Sequence, residues 1–321
     1  MSARERKQDI LLESGGNEVE MMEFYLGSQS FGVNVAKVRK IIQFEPALLT
    51  RTPDTDAAVM GVVLVRDEAV NLMDLNTVLK RKPPAADPAR ENKDLVLITE
   101  FSGKTVGFLV NGVNRIHRVS WGDLKPMDYF HNVSQTSFTG SINIEGNEIL
   151  VVDFERILSQ LDPESYALES LEAEQPVKSR ATIRVILAED SNYIRELLVA
   201  NLRTAGFNRL EAFDNGQDAM TRVLELRGEA QKTGKTLADL LDLVITDIEM
   251  PKMDGLTLCR KIKEELCPAL PVLVFSSLVN EQMSLKCKEV QANAFVAKPK
   301  LKDLLALIDS LALGADEPKN R

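Results

Sequence analysis

The first half of the chain is a series of short apolar or alternating runs, each broken by a turn signal. Residues 21–26 reach Gly27-Ser28-Gln29 and return over 30–35. Residues 62–66 turn at Asp67-Glu68 into 69–73, residues 95–101 turn at Ser102-Gly103-Lys104 into 105–110, and residues 141–144 turn at Glu145-Gly146-Asn147 into 148–152. Strand-length runs separated in this way predict four β-hairpins. The pattern also repeats. Gly32, Val35, Val38 and Ile41 are matched 75 positions later by Gly107, Val110, Val113 and Ile116. Gly61, Asp74, Leu75 and Leu79 are matched 79 positions later by Gly140, Asp153, Phe154 and Leu158. Two echoes in the same order point to a duplicated unit, and their spacing is too long for an ordinary solenoid. Two small β-barrels side by side are expected. Asp74 and Asp153 each close a strand run before an apolar helical stretch, where the expected role is a helix N-cap.

Residues 160–180 are rich in Glu, Ser and Pro and have little periodicity, as a linker would. Beyond them the period changes. Strand runs at 183–188, 210–213, 243–246, 272–275 and 295–297 alternate with helical stretches, the first capped by Ser191 or Asn192 and stopped by Gly206. Such alternation predicts a parallel sheet with helices on both faces. The polar stretch 227–236 reads as a surface insertion. The boundaries expected are a polar segment over 1–19, a β domain over 20–161, a linker over 162–180 and an α/β domain over 181–315.

Composition narrows the function. The 321 residues are 44% hydrophobic and 27% charged, which suits globular domains. A formal net charge of -9 argues against a nucleic-acid partner, and the basic run Lys80-Arg81-Lys82 reads as a solvated loop edge. Cys259, Cys267 and Cys287 form no C-x-x-C pair and have only His117 and His131 to help them, so neither a zinc site nor a disulfide framework is expected. The N-terminus has no secretory h-region and no run approaches a membrane span, so a cytoplasmic protein without direct membrane insertion is expected.

In a doubly wound sheet the loops at the carboxyl ends of the strands form the ligand crevice. Glu189-Asp190 follow the first strand run, Asp247 ends the third, Ser276 the fourth, and Lys298, before Pro299, the fifth. Three carboxylates at one edge repel each other. A divalent cation resolves the conflict, and Mg²⁺ favours such hard oxygen ligands. Asp247 then has the chemistry to attack a phosphoryl donor and form an acyl phosphate. Lys298 supplies a mobile positive charge, and Ser276 a hydroxyl, for the phosphoryl oxygens.

The segments Ala188-Glu189-Asp190-Ser191, Thr246-Asp247-Ile248-Glu249-Met250-Pro251-Lys252-Met253-Asp254-Gly255, Ser276 and Ala297-Lys298-Pro299 resemble the receiver domains of two-component response regulators. The resemblance implies phosphorylation on Asp247. It also implies direct Mg²⁺ ligation by Asp190 and Asp247, a third ligand in the Glu249 backbone carbonyl, and Glu189 acting mostly through water. Phe295 matches the family's aromatic switch position, turning inward as Ser276 moves toward the phosphate. Glu249 and Leu278 would flank the phosphate and tune its lifetime.

The first half contains no G-x-S-x-G, H-E-x-x-H or P-loop, so no enzyme is expected there. Its run from Phe31 through Ile42, then Val63-Leu64-Val65-Arg66 and Asn71-Leu72-Met73-Asp74-Leu75, resembles the CheW coupling-protein family, a double five-stranded, SH3-like barrel. Asp67 stands where that family usually has Gly, and Asn71 where it usually has Pro. The resemblance implies partner contacts at Arg66 and a receptor-facing groove near Val38 and Ile41, although both of these also suit plain core. A coupling domain followed by a (βα)5 receiver resembles the CheV family of chemotaxis proteins. The function implied is an adaptor joining chemoreceptor tips to a CheA-type histidine kinase, phosphorylated by that kinase and acting in adaptation or as a phosphate sink. A non-motility chemosensory pathway and a scaffold with a vestigial receiver remain alternatives.

Overall fold

The computed structural model describes residues 17–52, 56–81, 94–101, 103–126, 137–162, 178–278 and 281–313. His131 and most of the expected linker lie outside them. The chain divides into two compact units, Glu18–Tyr166 and Ala167–Arg321 together with Met1–Asn17. No helix among the described residues is long and apolar enough to cross a membrane.

The first unit contains β1 (Glu18–Leu26), β2 (Gln29–Asn34), β3 (Val38–Gln43), β4 (Val59–Val65), β5 (Glu68–Asp74), a one-turn helix α1 (Leu75–Val78), β6 (Leu95–Phe101), β7 (Lys104–Val110), β8 (Gly112–Ser120), β9 (Lys125–Pro126), β10 (Phe138–Ile144), β11 (Asn147–Val152) and α2 (Phe154–Leu161). The four expected hairpins form as β1–β2, β4–β5, β6–β7 and β10–β11. One sheet runs β8-β1-β2-β11-β10-β9 and the other β3-β6-β7-β5-β4. The two expected β layers are present, but neither is built from one copy alone: the copies interlock. Each sheet takes one hairpin from one copy and its other strands from the other, through the parallel pairs β2–β11 and β5–β7 and the antiparallel pairs β1–β8 and β3–β6.

The echoed residues occupy matching places. Gly61 and Gly140 sit at bulges in β4 and β10. A Cβ there would stand 2.2 Å from the Thr50 carbonyl oxygen and 2.5 Å from that of Lys125, so a side chain would collide with backbone. Asp74 and Asp153 cap α1 and α2, accepting from the backbone N–H of Asn76 at 3.0 Å and of Arg156 at 2.9 Å. Burial raises the Asp153 pKa, with Lys37 opposing it. The copies differ at the hairpin tips. Glu145-Gly146 has φ of 52° and 87°, whereas in Arg66-Asp67 only Arg66, at 49°, is left-handed. The missing glycine changes the turn, since two positive φ values favour Gly at the second position. In the core, Phe154 of α2 stacks on Phe108 at 4.2 Å, with Phe24 and Phe101 at 6.4 and 6.2 Å.

The second unit contains β12 (Arg184–Ala188), α3 (Asn192–Thr204), β13 (Arg209–Phe213), α4 (Gly216–Lys232), β14 (Leu243–Thr246), α5 (Gly255–Lys261) with a π turn over Ile262–Leu266, β15 (Val272–Ser276), α6 (Glu281–Glu289), β16 (Ala294–Ala297) and α7 (Leu301–Ala312). The sheet is wholly parallel, in the order β13-β12-β14-β15-β16. One core holds Leu198, Leu202, Leu304 and Ile308 against one face, and a second holds Val223, Leu226, Leu258 and Ile262 against the other. The expected insertion over 227–236 is mostly helix. α4 runs on to Lys232 because Val223, Leu226 and Ala230 keep one buried face beneath the polar residues. Ser191 caps α3. Arg180, just before β12, grips Asp309 of α7 through Nε at 2.8 Å and donates from Nη1 to the Ala205 carbonyl at 3.1 Å.

Candidate functional site

Four strand ends converge at the carboxyl edge of the parallel sheet. Asp247 follows β14, its N–H donating to the Ala188 carbonyl at 2.9 Å, so the end of β14 is tied to the end of β12 beside it. Asp247 Oδ1 accepts the Ile248 N–H at 2.6 Å. Gly255 allows the loop to close over this aspartate, because a Cβ there would stand 1.7 Å from the Asp247 carbonyl oxygen. Lys298 follows β16 and its N–H donates to the Ser276 carbonyl at 2.9 Å. Its ammonium bridges Glu189 Oε2 at 2.8 Å and Asp247 Oδ2 at 2.9 Å. Oxygens from Glu189, Asp190 and Asp247 all lie within 4.8 Å of one another.

This is a tight and underneutralised cluster. Glu189, Asp247, Glu249 and Lys298 are buried, while Asp190 is half-exposed. In their ionised forms, three carboxylates against one bridging ammonium leave a net double negative charge. Buried like charges at this range cost free energy unless a cation joins them. The set is all oxygen and its charge deficit is two, so the residues fit a divalent ion of the Mg²⁺ kind.

The remaining sequence candidates fall nearby. Ser276 is fully buried at the end of β15, and its hydroxyl oxygen lies 3.4 Å from the Leu278 N–H that donates to it. Phe295, on β16, is half-buried and packs against Ile248, Val274, Leu278, Met283 and Cys287. Both Cys259 and Cys287 are buried thiols pushed up to about 12, which makes them inert packing groups at neutral pH. Asp254 caps α5 by accepting from the Thr257 N–H, and burial raises its pKa.

Two features escaped sequence reasoning. Arg195, on the first turn of α3, donates to the carbonyls of Glu189 and Asp190. Asn215 caps α4 and donates to Asp214 and Asp218, both at 2.6 Å, while Lys252 reaches Asp218 at 3.1 Å, tying the loop after Asp247 to α4. The Asn215 hydrogen bond, with help from Lys252, holds the Asp218 carboxyl below its usual range. The signal for the second was the Asn-Gly-Gln-Asp run, which has capping spacing. Nothing in the local pattern marked Arg195.

In the first unit, Val38 is half-buried against the core, Ile41 is 41% exposed, and Arg66 is exposed at the β4–β5 turn. β3 and β4 are the end strands of one sheet, so these residues come from its two margins. His117 is half-buried, its Nε2 2.9 Å from Glu23 Oε2.

Comparisons with known proteins agree with both halves. Residues 20–162 match the CheW-like domain family, and residues 185–309 match the response regulator receiver domain family. Chemotaxis protein CheV3 of Helicobacter pylori is 32% identical over 294 residues, covering 88% of this chain and 91% of that protein. Chemotaxis protein CheV1 of the same organism is 23% identical over 311 residues, covering 91% and 92%. Chemotaxis protein CheW of Rhizobium meliloti is 30% identical over 155 residues, covering 48% of this chain and 95% of that protein. With an interlocked β domain, a five-stranded parallel α/β domain and a relative matched along most of both chains, this protein belongs to the CheV family of chemotaxis coupling proteins.

Proposed function

We propose that the chain is a chemotaxis adaptor whose receiver accepts a phosphoryl group on Asp247 from a CheA-type histidine kinase. Its β domain couples that kinase to the cytoplasmic tips of chemoreceptors, so the protein works at membrane-associated receptor arrays. The observation that carries this reading is the meeting of Glu189, Asp190, Asp247 and Lys298 in one crevice.

Glu189, Asp190 and Asp247, with the Glu249 backbone carbonyl, would hold Mg²⁺, which supplies positive charge for the incoming phosphoryl oxygens. The Ile248 N–H holds Oδ1 of Asp247 and the Lys298 ammonium holds Oδ2, so the carboxylate is oriented before a donor arrives. An Asp247 oxygen bonds to phosphorus as the P–N bond of a phosphohistidine donor breaks. The electron pair leaves with the imidazole, which takes up a proton. Lys298 exchanges its carboxylate bridge for a phosphoryl oxygen, and Ser276 offers its hydroxyl to another. The shift at Ser276 reaches Phe295 on the neighbouring strand, giving the two-state element that a modification needs. The altered receiver surface then tunes array output, in adaptation or as a phosphate sink.

The test is transfer of labelled phosphate from ATP through the kinase, with Mg²⁺ present, to the wild-type chain and to Asp247→Asn. The wild type is expected to take label and the variant to lose it. Equal labelling of both would identify a different acceptor. For the coupling role, residues 1–165 should bind kinase and receptor fragments in a pull-down, and capture of neither removes that role.

A further inference from the structure

Arg195 sits half-buried on the first turn of α3, behind the acidic pair. Its Nη1 donates to the Glu189 carbonyl at 2.7 Å and to the Asp190 carbonyl at 3.2 Å, and its Nη2 donates to Asn192 Oδ1 at 2.7 Å. Successive residues of an extended strand face opposite ways. Two consecutive carbonyls turned onto one nitrogen therefore define a sharp bend. Those carbonyls belong to the two peptide planes that flank the Asp190 Cα. Holding both planes sets the backbone angles of Asp190, and with them the direction of its Cα–Cβ bond.

Several groups hold the three acidic residues in place. Asp247 is fixed by the Ile248 N–H and by Lys298, and Glu189 by Lys298. Asp190 is the more exposed member, and its two backbone flanks are the groups that Arg195 grips. We propose that Arg195 is a positioning residue that pre-forms the divalent-cation site by aiming the Asp190 carboxylate at Asp247. This rests on the metal-site reading given above.

Two effects of Arg195 oppose each other, and their signs separate the alternatives. As a bare positive charge near the site, Arg195 repels a cation, so its removal would tighten binding. As a clamp, it spares the ion the cost of ordering the loop, so its removal weakens binding. Groups that orient metal ligands from behind are worth about ten- to a hundredfold in affinity.

The experiment titrates Mn²⁺ into the full chain, reads free Mn²⁺ by electron paramagnetic resonance, and displaces bound ion with Mg²⁺. Asp190→Ala marks which binding belongs to this site, and thermal melts confirm that each variant is folded. Arg195→Met is expected to bind about tenfold or more weakly than wild type. Arg195→Lys keeps the charge but loses the planar fork, and is expected to fall between the two. Equal or tighter binding by Arg195→Met overturns the proposal. If that variant does not fold, Arg195→Lys decides: affinity equal to wild type overturns the clamp, and weaker affinity supports it. A wild-type chain without a saturable site sensitive to Asp190→Ala overturns the metal-site reading and this proposal with it, a result distinct from equal affinities.

Discussion

Each half of the molecule buries a carboxylate against a nitrogen base, and the two clusters are built to opposite ends. In the β domain, Glu23 takes the Ser30 hydroxyl at 2.7 Å, the Asn114 amide at 2.9 Å and the His117 ring at 2.9 Å, so both oxygens are matched by nearby donors. In the receiver, oxygens of three carboxylates lie within 4.8 Å of one another, and the Lys298 ammonium bridges two of them. The first arrangement is complete and ties β1, β2 and β8 together. The second gathers more negative charge than its bridging ammonium offsets, and it gains from an added cation. A satisfied buried acid reads as structure, whereas an underneutralised one reads as a site held ready for a ligand.

The largest effect is expected from Lys298→Met. It leaves Glu189 and Asp247 buried without their shared ammonium, which should cost about 3–5 kcal/mol of receiver stability. Urea unfolding followed by helical circular dichroism should show the loss, and millimolar Mg²⁺ should restore part of it. No loss would show that the bridge is incidental.

Glu23→Ala should cost about 2–3 kcal/mol, because Ser30, Asn114 and His117 lose their common acceptor. Trp121, the single tryptophan, lies in the β domain and reports this transition by fluorescence. The same cluster has a pH signature. Burial favours a raised pKa, but the hydrogen bonds from Ser30, His117 and Asn114 outweigh it and hold the Glu23 carboxyl below its ordinary 4.5. A depressed folded-state pKa gives stability that is present above the unfolded value and lost as pH falls through the folded one. The β domain of Glu23→Gln should therefore lose less stability than wild type below about pH 4.5. Parallel acid curves would remove the contrast.

The smallest effect carries the opposite sign. Asp247→Asn relieves repulsion and leaves Lys298 paired with Glu189, so the receiver should become more stable by about 1 kcal/mol. Its melting temperature should also stop responding to Mg²⁺. Destabilisation by this change would mean that the cluster is as complete as the one around Glu23.

Much of this was legible in the chain. The hairpins announce themselves through turn residues, and the acidic site through residues at four strand ends, since a parallel sheet sends those ends to one edge. What escaped notice depends on pairings between distant segments. Repetition shows that Gly32 and Gly107 are equivalent, but not that β2 pairs with β11 and β7 with β5. Arg195 acts through backbone carbonyls, which carry no side-chain signature. The length of α4 was hidden because Val223, Leu226 and Ala230 sit sparsely among polar neighbours.

The exchange of hairpins between copies also governs how the two halves reach their folds. In the receiver each new strand packs beside one already made, through a crossover of moderate length. In the β domain Phe31 has to find Leu150, and Leu72 has to find Gly107, before either sheet is whole. Closing such loops costs entropy before any pairing repays it. The β domain should be the slower half to assemble. A cut between the copies should leave two fragments that fold only in each other's company.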